Sequence, residues 1–393
     1  MSYRPSLTRR RLLGAAVAAL AAGFSPFAFG VDPVKIGLIL PLTGPFASTG
    51  KQVEAACRLY MAQHGDTIAG RKVELIVKDD TGLAPETTKR IAQELVVRDK
   101  VTVLAGFGLT PLALATAPVA TESKTPMVVM AAATSIVTTK SPYIVRTGFT
   151  LPQVTWPIAE WAAKNNIRSV VTLVTDYAPG ADAEKTFVKR FTEASGKVLE
   201  SMRVPLRNPD YAPFLQRAKD AKPDALFVFV PSGEGSAVMK QFADRGLKQA
   251  GIQMIGTGDV VDDDLLESMG AVAVGVVTSF HYSAAHDSPE NKAYVDAFMK
   301  ANGFRPNFHS VGGYDGMRLI YDAVAKAGAD ADGDKIVEAM KGMKWTSPRG
   351  PIEINPATRD PIQNVYIRKV EMVGGKPWSV EFEKFEKVKD PGA

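Results

Sequence analysis

Residues 34–80 read VKIGLILPLTGPFASTGKQVEAACRLYMAQHGDTIAGRKVELIVKDD, and the order of patterns within them sets the fold class. Val34 to Leu40 is a short apolar run, the kind that is buried on both faces of a parallel sheet. Gly50 to His64 then repeats at helical period, with Val53, Ala56, Cys57, Leu59 and Tyr60 on the apolar side. Lys72 to Lys78 alternates as a strand does. Strand, helix and strand in that order call for parallel strands joined by a right-handed crossover helix.

Outward from this unit the same alternation continues. Pro85 opens a helix with Ile91, Leu95 and Val96 inward, Val101 to Ala105 is a strand, Pro111 begins a helix, and Pro126 to Met130 is a strand again. A second series follows near residue 150. Helices are expected over 153–165, 181–194, 211–221 and 234–246, with a short one around 262–268. Strands are expected over 169–175, 198–204, 225–230, 253–255 and 275–280. Two consecutive series of similar size predict an α/β protein with two doubly wound, Rossmann-like lobes. Helices over 290–301, 309–327 and 334–343 are expected to return to the first lobe. Strands over 351–354 and 365–370, with a hairpin turn at Gly374-Gly375, are expected to return to the second. The resulting borders are 31–149 plus 283–345 for lobe 1 and 150–282 plus 346–385 for lobe 2, with 386–393 as a tail.

The first thirty residues stand apart. Arg4, Arg9, Arg10 and Arg11 precede an uncharged run from Leu12 to Phe29, and Ala28-Phe29-Gly30 has the small residues of a processing site. The run is rich in Ala and Gly and contains Pro26, which suits an export signal better than a membrane span. Thr8-Arg9-Arg10-Arg11-Leu12-Leu13 also fits a twin-arginine signal. Residues 1–30 are therefore read as a signal peptide cleaved near Gly30, which places the protein in the periplasm. The 393-residue chain carries +5, but these residues hold four arginines and no acid, so the remainder carries +1. That balance gives no support to nucleic acid as a partner. The single cysteine, Cys57, makes no internal disulfide and sits in an apolar stripe, so it reads as a buried thiol.

In doubly wound sheets a ligand lies beyond the carboxyl ends of the strands, so the strand-to-helix turns carry the functional reading. They are residues 41–46, 106–111 and 131–135 in the first series, and 176–180, 231–234 and 256–259 in the second. They are rich in Gly, hydroxyls and small residues, with a few aromatics. N–H groups exposed at helix starts, helped by a hydroxyl, suit an anionic oxygen. Thr110 and Thr134-Ser135 thus either clamp a carboxylate or cap their helices. Enzymatic readings fare poorly. Gly106-x-Gly108-x-x-Pro111 lacks the third glycine of a dinucleotide turn, and neither a phosphate loop nor a G-x-S-x-G nucleophile turn occurs. The four histidines show no metal-binding spacing, so no metal and no cofactor are expected. Asp262-Asp263-Asp264 is expected to favour a helix N-terminus, and Asp79-Asp80, which ends a strand and is open to an acid/base reading, to be a solvated loop pair.

Val34-Lys35-Ile36-Gly37 leading to Pro41-Leu42-Thr43-Gly44-Pro45, Val77-Lys78-Asp79-Asp80-Thr81, Ala131 to Ser135, Tyr143-Ile144-Val145-Arg146-Thr147, Asp210-Tyr211 through Pro223-Asp224-Ala225, and Gly350-Pro351-Ile352 have a specific order and spacing. In it the chain resembles the periplasmic binding proteins of branched-chain amino acid (LIV-type) ABC transporters. The resemblance spans residues 31–385 and implies the type I binding-protein fold, with the lobes joined by a multi-crossover hinge. It implies a monomer that is not an enzyme, captures a small organic acid by closure, and delivers it to ABC transporter permease subunits. By the same resemblance the ligand carboxylate falls to Leu109 and Thr110 with Ala132, Ala133 and Thr134, and the first-turn contact to Phe46 through Thr49. Second-lobe contacts fall to Tyr177, Ser232, Gly258 and Asp259, and hinge-side contacts to Phe280 and Tyr282. Amino-acid binders of the family place an acid near the position of Gly258. Here Gly258 occupies it and Asp259 comes one residue later. With Asp259 turned away, a ligand ammonium would be buried unpaired, which favours a ligand without an α-amino group. Asp176-Tyr177-Ala178-Pro179-Gly180 also looks like the branch that binds aromatic carboxylates, so an aromatic acid is the expected ligand. The alternatives are a branched-chain amino acid, amide or urea binder, and a ligand-sensing subunit of a signalling system.

Overall fold

The computed structural model describes Met1, residues 32–328 and residues 331–392. The export-signal and cleavage readings fall on residues 2–31, outside those described. From Val34 the chain runs β1 (Val34–Leu40), α1 (Ala47–His64), β2 (Thr67–Ile68), β3 (Arg71–Asp79), α2 (Pro85–Val97), β4 (Val103–Gly106), α3 (Thr110–Ser123), β5 (Met127–Val129) and β6 (Ile144–Arg146). These strands form one sheet in the order β2-β3-β1-β4-β5-β6, parallel except for β2.

A second series follows with α4 (Leu151–Lys164), β7 (Ser169–Thr175), α5 (Ala178–Glu193), β8 (Lys197–Val204), α6 (Ala212–Ala221), β9 (Ala225–Phe229), α7 (Gly235–Asp244), β10 (Gln253–Thr257), α8 (Leu266–Met269) and β11 (Val277–Phe280). Then come α9 (Pro289–Asn302), α10 (Phe308–Ala327), α11 (Gly333–Met340), β12 (Lys344–Ser347), β13 (Gly350–Ile354), β14 (Pro361–Val373) and β15 (Lys376–Val388). The second sheet runs β12-β13-β14-β11-β10-β9-β7-β8, with β15 also on β14.

Local chemistry starts these helices where side chains can serve their first N–H groups. Thr150, Ser288 and Asn307 accept from the N–H of Gln153, Asn291 and His309 at the heads of α4, α9 and α10, and proline sits in the first turn of α4 and α9. Burial sustains the strands. Along β7, Val170 and Val174 join one core while Val171 and Leu173 join another on the opposite face, as a strand covered on both sides requires.

Both sheets share one winding. The first strand of each series lies inside the two that follow it in the parallel sheet, β1 between β3 and β4 and β7 between β8 and β9, with the two-residue β2 at the edge. The chain reverses direction there, which opens a crevice at the carboxyl ends of the two central strands. Residues 106–111 and 131–135 both leave carboxyl ends of the first sheet.

Several local expectations need correcting. Helix α1 begins at Ala47, three residues before Gly50. The helix expected over 262–268 is only Leu266–Met269, because the three aspartates are taken up by tertiary partners. The border at 345/346 falls inside β12. Its Trp345, together with Ile352 and Ile354 of β13, packs into the core shared by β1, β4, β5, α10 and α11. The described part of the expected 386–393 tail, residues 386–392, is tied to the fold. Strand β15 continues to Val388, and the Asp390 carboxylate accepts hydrogen bonds from the hydroxyls of Ser135 and Thr150, each at 2.9 Å. Among the described residues no helix is long and apolar enough to cross a membrane.

Candidate functional site

The first wall of the interlobe cleft is built by turns that leave β1, β4 and β5. Asp79, at the end of β3, accepts from the Leu42 N–H at 2.9 Å and the Thr43 hydroxyl at 2.6 Å, pinning the turn that carries Phe46 and Thr49. At the end of β4, Gly106 and Phe107 have φ of 104° and 66°. A Cβ at Gly106 would collide with the Ile39 carbonyl, so this double left-handed step needs glycine at its first position. It turns the following residues, Gly108 to Thr110, along the cleft.

Buried Arg146 organises the loop after β5. It donates to the carbonyls of Ala132 at 2.9 Å, Thr134 at 2.8 Å and Phe149 at 3.1 Å, and its Nε lies 2.9 Å from the Asp360 carboxylate. The Leu151 N–H takes the Ala133 carbonyl at 2.8 Å. With these carbonyls engaged, the loop keeps donors: among the described residues nothing accepts from the N–H of Ala133 or Thr134. The Thr110 and Thr134 hydroxyls lie 2.8 Å apart, so only one of their hydrogens is used between them. Lobe 1 therefore offers a cluster of donors at the start of α3, suited to an anionic oxygen.

The opposite wall leaves β7, β9 and β10. Tyr177 stacks on Phe229 with ring centroids 6.1 Å apart. Ser232 donates its hydroxyl to Asp262 at 2.6 Å. Asp259 is only 4% exposed, and its Oδ2 has no hydrogen-bond partner. Burial pushes its carboxyl up to about 7, against the opposing pull of Thr257 and the Arg368 guanidinium. Phe149, Leu151 and His309 close the side where the chain crosses between lobes. Burial pushes His309 down to about 3, so its imidazole is neutral at pH 7.

Phe46, Thr49, Leu109, Thr110, Ala132, Ala133, Tyr177, Ser232 and Asp259 converge on one cavity, with Thr134 behind them on Thr110. The cavity is narrow: the centre of a water-sized sphere has about 30 Å³ to move in. The lobes also touch across its mouth. Ser48 donates to Asp264 at 2.7 Å, Arg207 to the Leu83 carbonyl at 3.1 Å, and the Ser135 N–H to Asp182 at 3.2 Å. Phe46, Leu109 and Leu112 pack with Tyr177 and Leu206. This is a closed arrangement.

Three expected contacts are corrected. Phe280 and Tyr282 do not line the cavity. Phe280 packs among Phe149, His281 and Phe308, and Tyr282 donates to Asn291 at 2.9 Å, so both belong to the core. Gly258 does not line it either. A Cβ there would overlap Arg368 and come within 2.5 Å of the Phe280 ring, so no acidic side chain fits at this position. Asp259, in turn, is not turned away: it faces the cavity, which removes the premise that an ammonium there would lack a partner. Asp262, Asp263 and Asp264 do not cap a helix. They serve Ser232, the Ala284 N–H with Arg368, and Ser48 with Asn307. Asp79-Asp80 is not a solvated loop pair: Asp79 ends β3, Asp80 is fully buried, and both brace the adjacent turns, while Cys57 is buried as expected. Among the described residues no group of three or more His, Cys, Asp or Glu could hold a metal.

Gly108, Ala131, Phe149, Leu151, Pro179, Phe229, Pro231 and His309 also line the cavity, though none of them is an expected ligand contact. Most adjoin expected turns, and the turn positions themselves were the available signal. His309 had none, since it arrives from a helix in a later part of the chain.

Two doubly wound lobes facing each other across a small closed cavity define a cleft-type solute-binding protein. The chain belongs to the periplasmic binding protein family, whose profile matches residues 33–376. It is 45% identical over 365 residues to Leu/Ile/Val-binding protein homolog 6 of Brucella abortus (strain 2308), covering 92% of this chain and 94% of that one. A solute-binding protein of an ABC transporter from Rhodopseudomonas palustris BisB5, crystallised with 3,4-dihydroxybenzoic acid, superposes with a TM-score of 0.90 at 60% identity, covering 92% of this chain and 99% of that one. Another from R. palustris, in complex with 4-hydroxybenzoate, superposes with a TM-score of 0.89 at 42% identity, with the same coverages.

Proposed function

We propose that the protein is the periplasmic solute-binding component of an ABC importer and that it captures an aromatic carboxylate by lobe closure. The carrying observation is one buried cavity with free donors on one wall and aromatic side chains on the other. The Ala133 N–H and the Thr110 hydroxyl, backed by Thr134, would take the carboxylate, while Phe46, Tyr177 and Phe229 flank the ring. The relatives crystallised with hydroxybenzoates support this choice of ligand. Lobe 1 would load first and hinge closure would add lobe 2, favoured only by contacts made in the closed state. The closed form would then be read by permease subunits. The chain would act as a monomer and carry out no reaction.

A branched-chain amino acid is the second reading, and the buried Asp259 carboxyl is the observation that favours it, because it could face an ammonium. Thermal-shift and calorimetric titration of the ligand-stripped protein with benzoate, 4-hydroxybenzoate, 3,4-dihydroxybenzoate and leucine separates the two. We expect saturable binding of at least one aromatic acid. Stabilisation by leucine alone would reverse the assignment.

A further inference from the structure

Hydrogen-bonding character divides the cavity by lobe. The lobe 1 wall offers donors, namely the Ala133 N–H and the Thr110 hydroxyl, the latter paired with the Thr134 hydroxyl behind it. The lobe 2 wall offers acceptors. Asp259 lies in that wall, 4% exposed, and its Oδ2 meets no donor among the described residues. Ser232 lines the same wall and spends its hydroxyl hydrogen on Asp262 at 2.6 Å, so lone pairs are what it presents to a ligand. A buried acceptor without a donor is costly, and a ligand that brings one relieves the cost.

A carboxylate held by lobe 1 leaves the far end of the ligand to meet these acceptors. An ammonium would require Asp259 to be ionised, which its burial opposes. The cation on that side, Arg368, is held by Thr278, the Tyr282 carbonyl and Asp263. A hydroxyl has no such requirement: it donates to the carboxylate or accepts from the acid, so it pairs with Asp259 in either protonation state. Tyr177 and Phe229, stacked beside Asp259, line the wall along which a ring would lie.

We infer that Asp259, assisted by Ser232, reads a ring hydroxyl of the ligand and selects hydroxylated benzoates over benzoate itself. This selectivity presupposes the aromatic-acid cleft proposed above. A site that hydrogen-bonds a substrate hydroxyl discriminates strongly against the analogue lacking it, because its own buried groups are then left unpaired.

The test is isothermal titration of the full, ligand-stripped protein and of Asp259→Ala, Asp259→Asn and Ser232→Ala with benzoate, 4-hydroxybenzoate and 3,4-dihydroxybenzoate. Circular dichroism checks that each variant is folded, and the near-isosteric Asp259→Asn carries the test if Asp259→Ala does not fold. We expect the wild type to bind 4-hydroxybenzoate at least ~10-fold more tightly than benzoate. Asp259→Ala should abolish that preference by weakening 4-hydroxybenzoate relative to benzoate, and Asp259→Asn should retain part of it. Ser232→Ala should reduce the added advantage of 3,4-dihydroxybenzoate. Equal wild-type affinities for benzoate and 4-hydroxybenzoate, or an equal loss for both in Asp259→Ala, would overturn the selectivity and leave the aromatic-acid reading standing. Binding of leucine with no aromatic acid bound would remove both.

Discussion

Gly258 and Asp259 are neighbours with opposite constraints. Gly258 is held to glycine by the Phe280 ring and Arg368, both fully buried. Gly258→Ala should therefore destabilise the protein by about 1–3 kcal/mol through overpacking. Urea denaturation checks this, and a midpoint equal to wild type would show that the ring and guanidinium yield freely. Asp259 instead carries a carboxyl raised by burial from 3.8 to about 7. Below about pH 4 it is protonated in both folded and unfolded chains and has no effect on stability. As pH rises to 7 the unfolded chain ionises while the folded one holds its proton, so stability is lost across that window. His309, lowered to about 3, acts oppositely: its contribution is complete above pH 6.5 and is lost as pH falls towards 3. The ligand-free Asp259→Asn variant should accordingly match wild type near pH 3 and exceed it at pH 7.5. The gain should approach about 1.4 kcal/mol for each tenfold change in proton affinity. A stability difference independent of pH would contradict the assignment. Neither constraint is visible in the residue types, because both depend on what packs against them from distant parts of the chain.

At the scale of elements, parallel strands and crossover helices were legible because buried strands read as unbroken apolar runs and amphipathic helices repeat at their own period. The elements that escaped are those whose burial is partial. Strand β15 reads KPWSVEFEKFEKV, mostly charged or exposed, and is held as a strand by its long antiparallel pairing with β14. Strand β14 extends from Pro361 to Val373 rather than 365 to 370 for the same reason. The four-residue β12 contributes one buried apolar residue, Trp345. Strand β6 matters beyond its three residues, because its Arg146 fixes the loop after β5 that donates to the cleft. Arg146→Met would leave Asp360 buried without its cation and should cost about 3–5 kcal/mol. Adding Asp360→Asn should recover part of that loss. Chemical denaturation of both variants gives the answer, and a single-variant loss under about 1 kcal/mol would show the ion pair to be dispensable.

For the whole molecule, the cavity exists because two sheets with identical winding place their crevices face to face. Closure is reinforced by polar contacts outside the cavity, Ser48 to Asp264 and Arg207 to Leu83, which join the lobes directly. Removing them should favour the open form in the absence of ligand and weaken binding without touching the ligand. For the Ser48→Ala, Arg207→Ala double variant we expect about 5- to 150-fold weaker affinity, from ~0.5–1.5 kcal/mol for each of the two lost bonds. Its ligand-free radius of gyration by small-angle scattering should be larger than wild type. Unchanged affinity together with unchanged scattering would show that these contacts do not contribute to closure.

Local pattern along the chain suffices for the two α/β series, for the turns at the strand ends, and for Thr110 and Thr134-Ser135 as candidates for an anionic oxygen, while Leu109, Ala132 and Ala133 are what the family resemblance adds. That information lies in periodicity and in turn chemistry, which act over a few residues. The folded chain alone determines that Phe280 and Tyr282 are core residues, that His309 and Phe149 reach the cavity, and that Asp259 faces it while Gly258 cannot hold a side chain. Those outcomes depend on which distant groups share a small volume, and packing at that range leaves no mark on the local sequence.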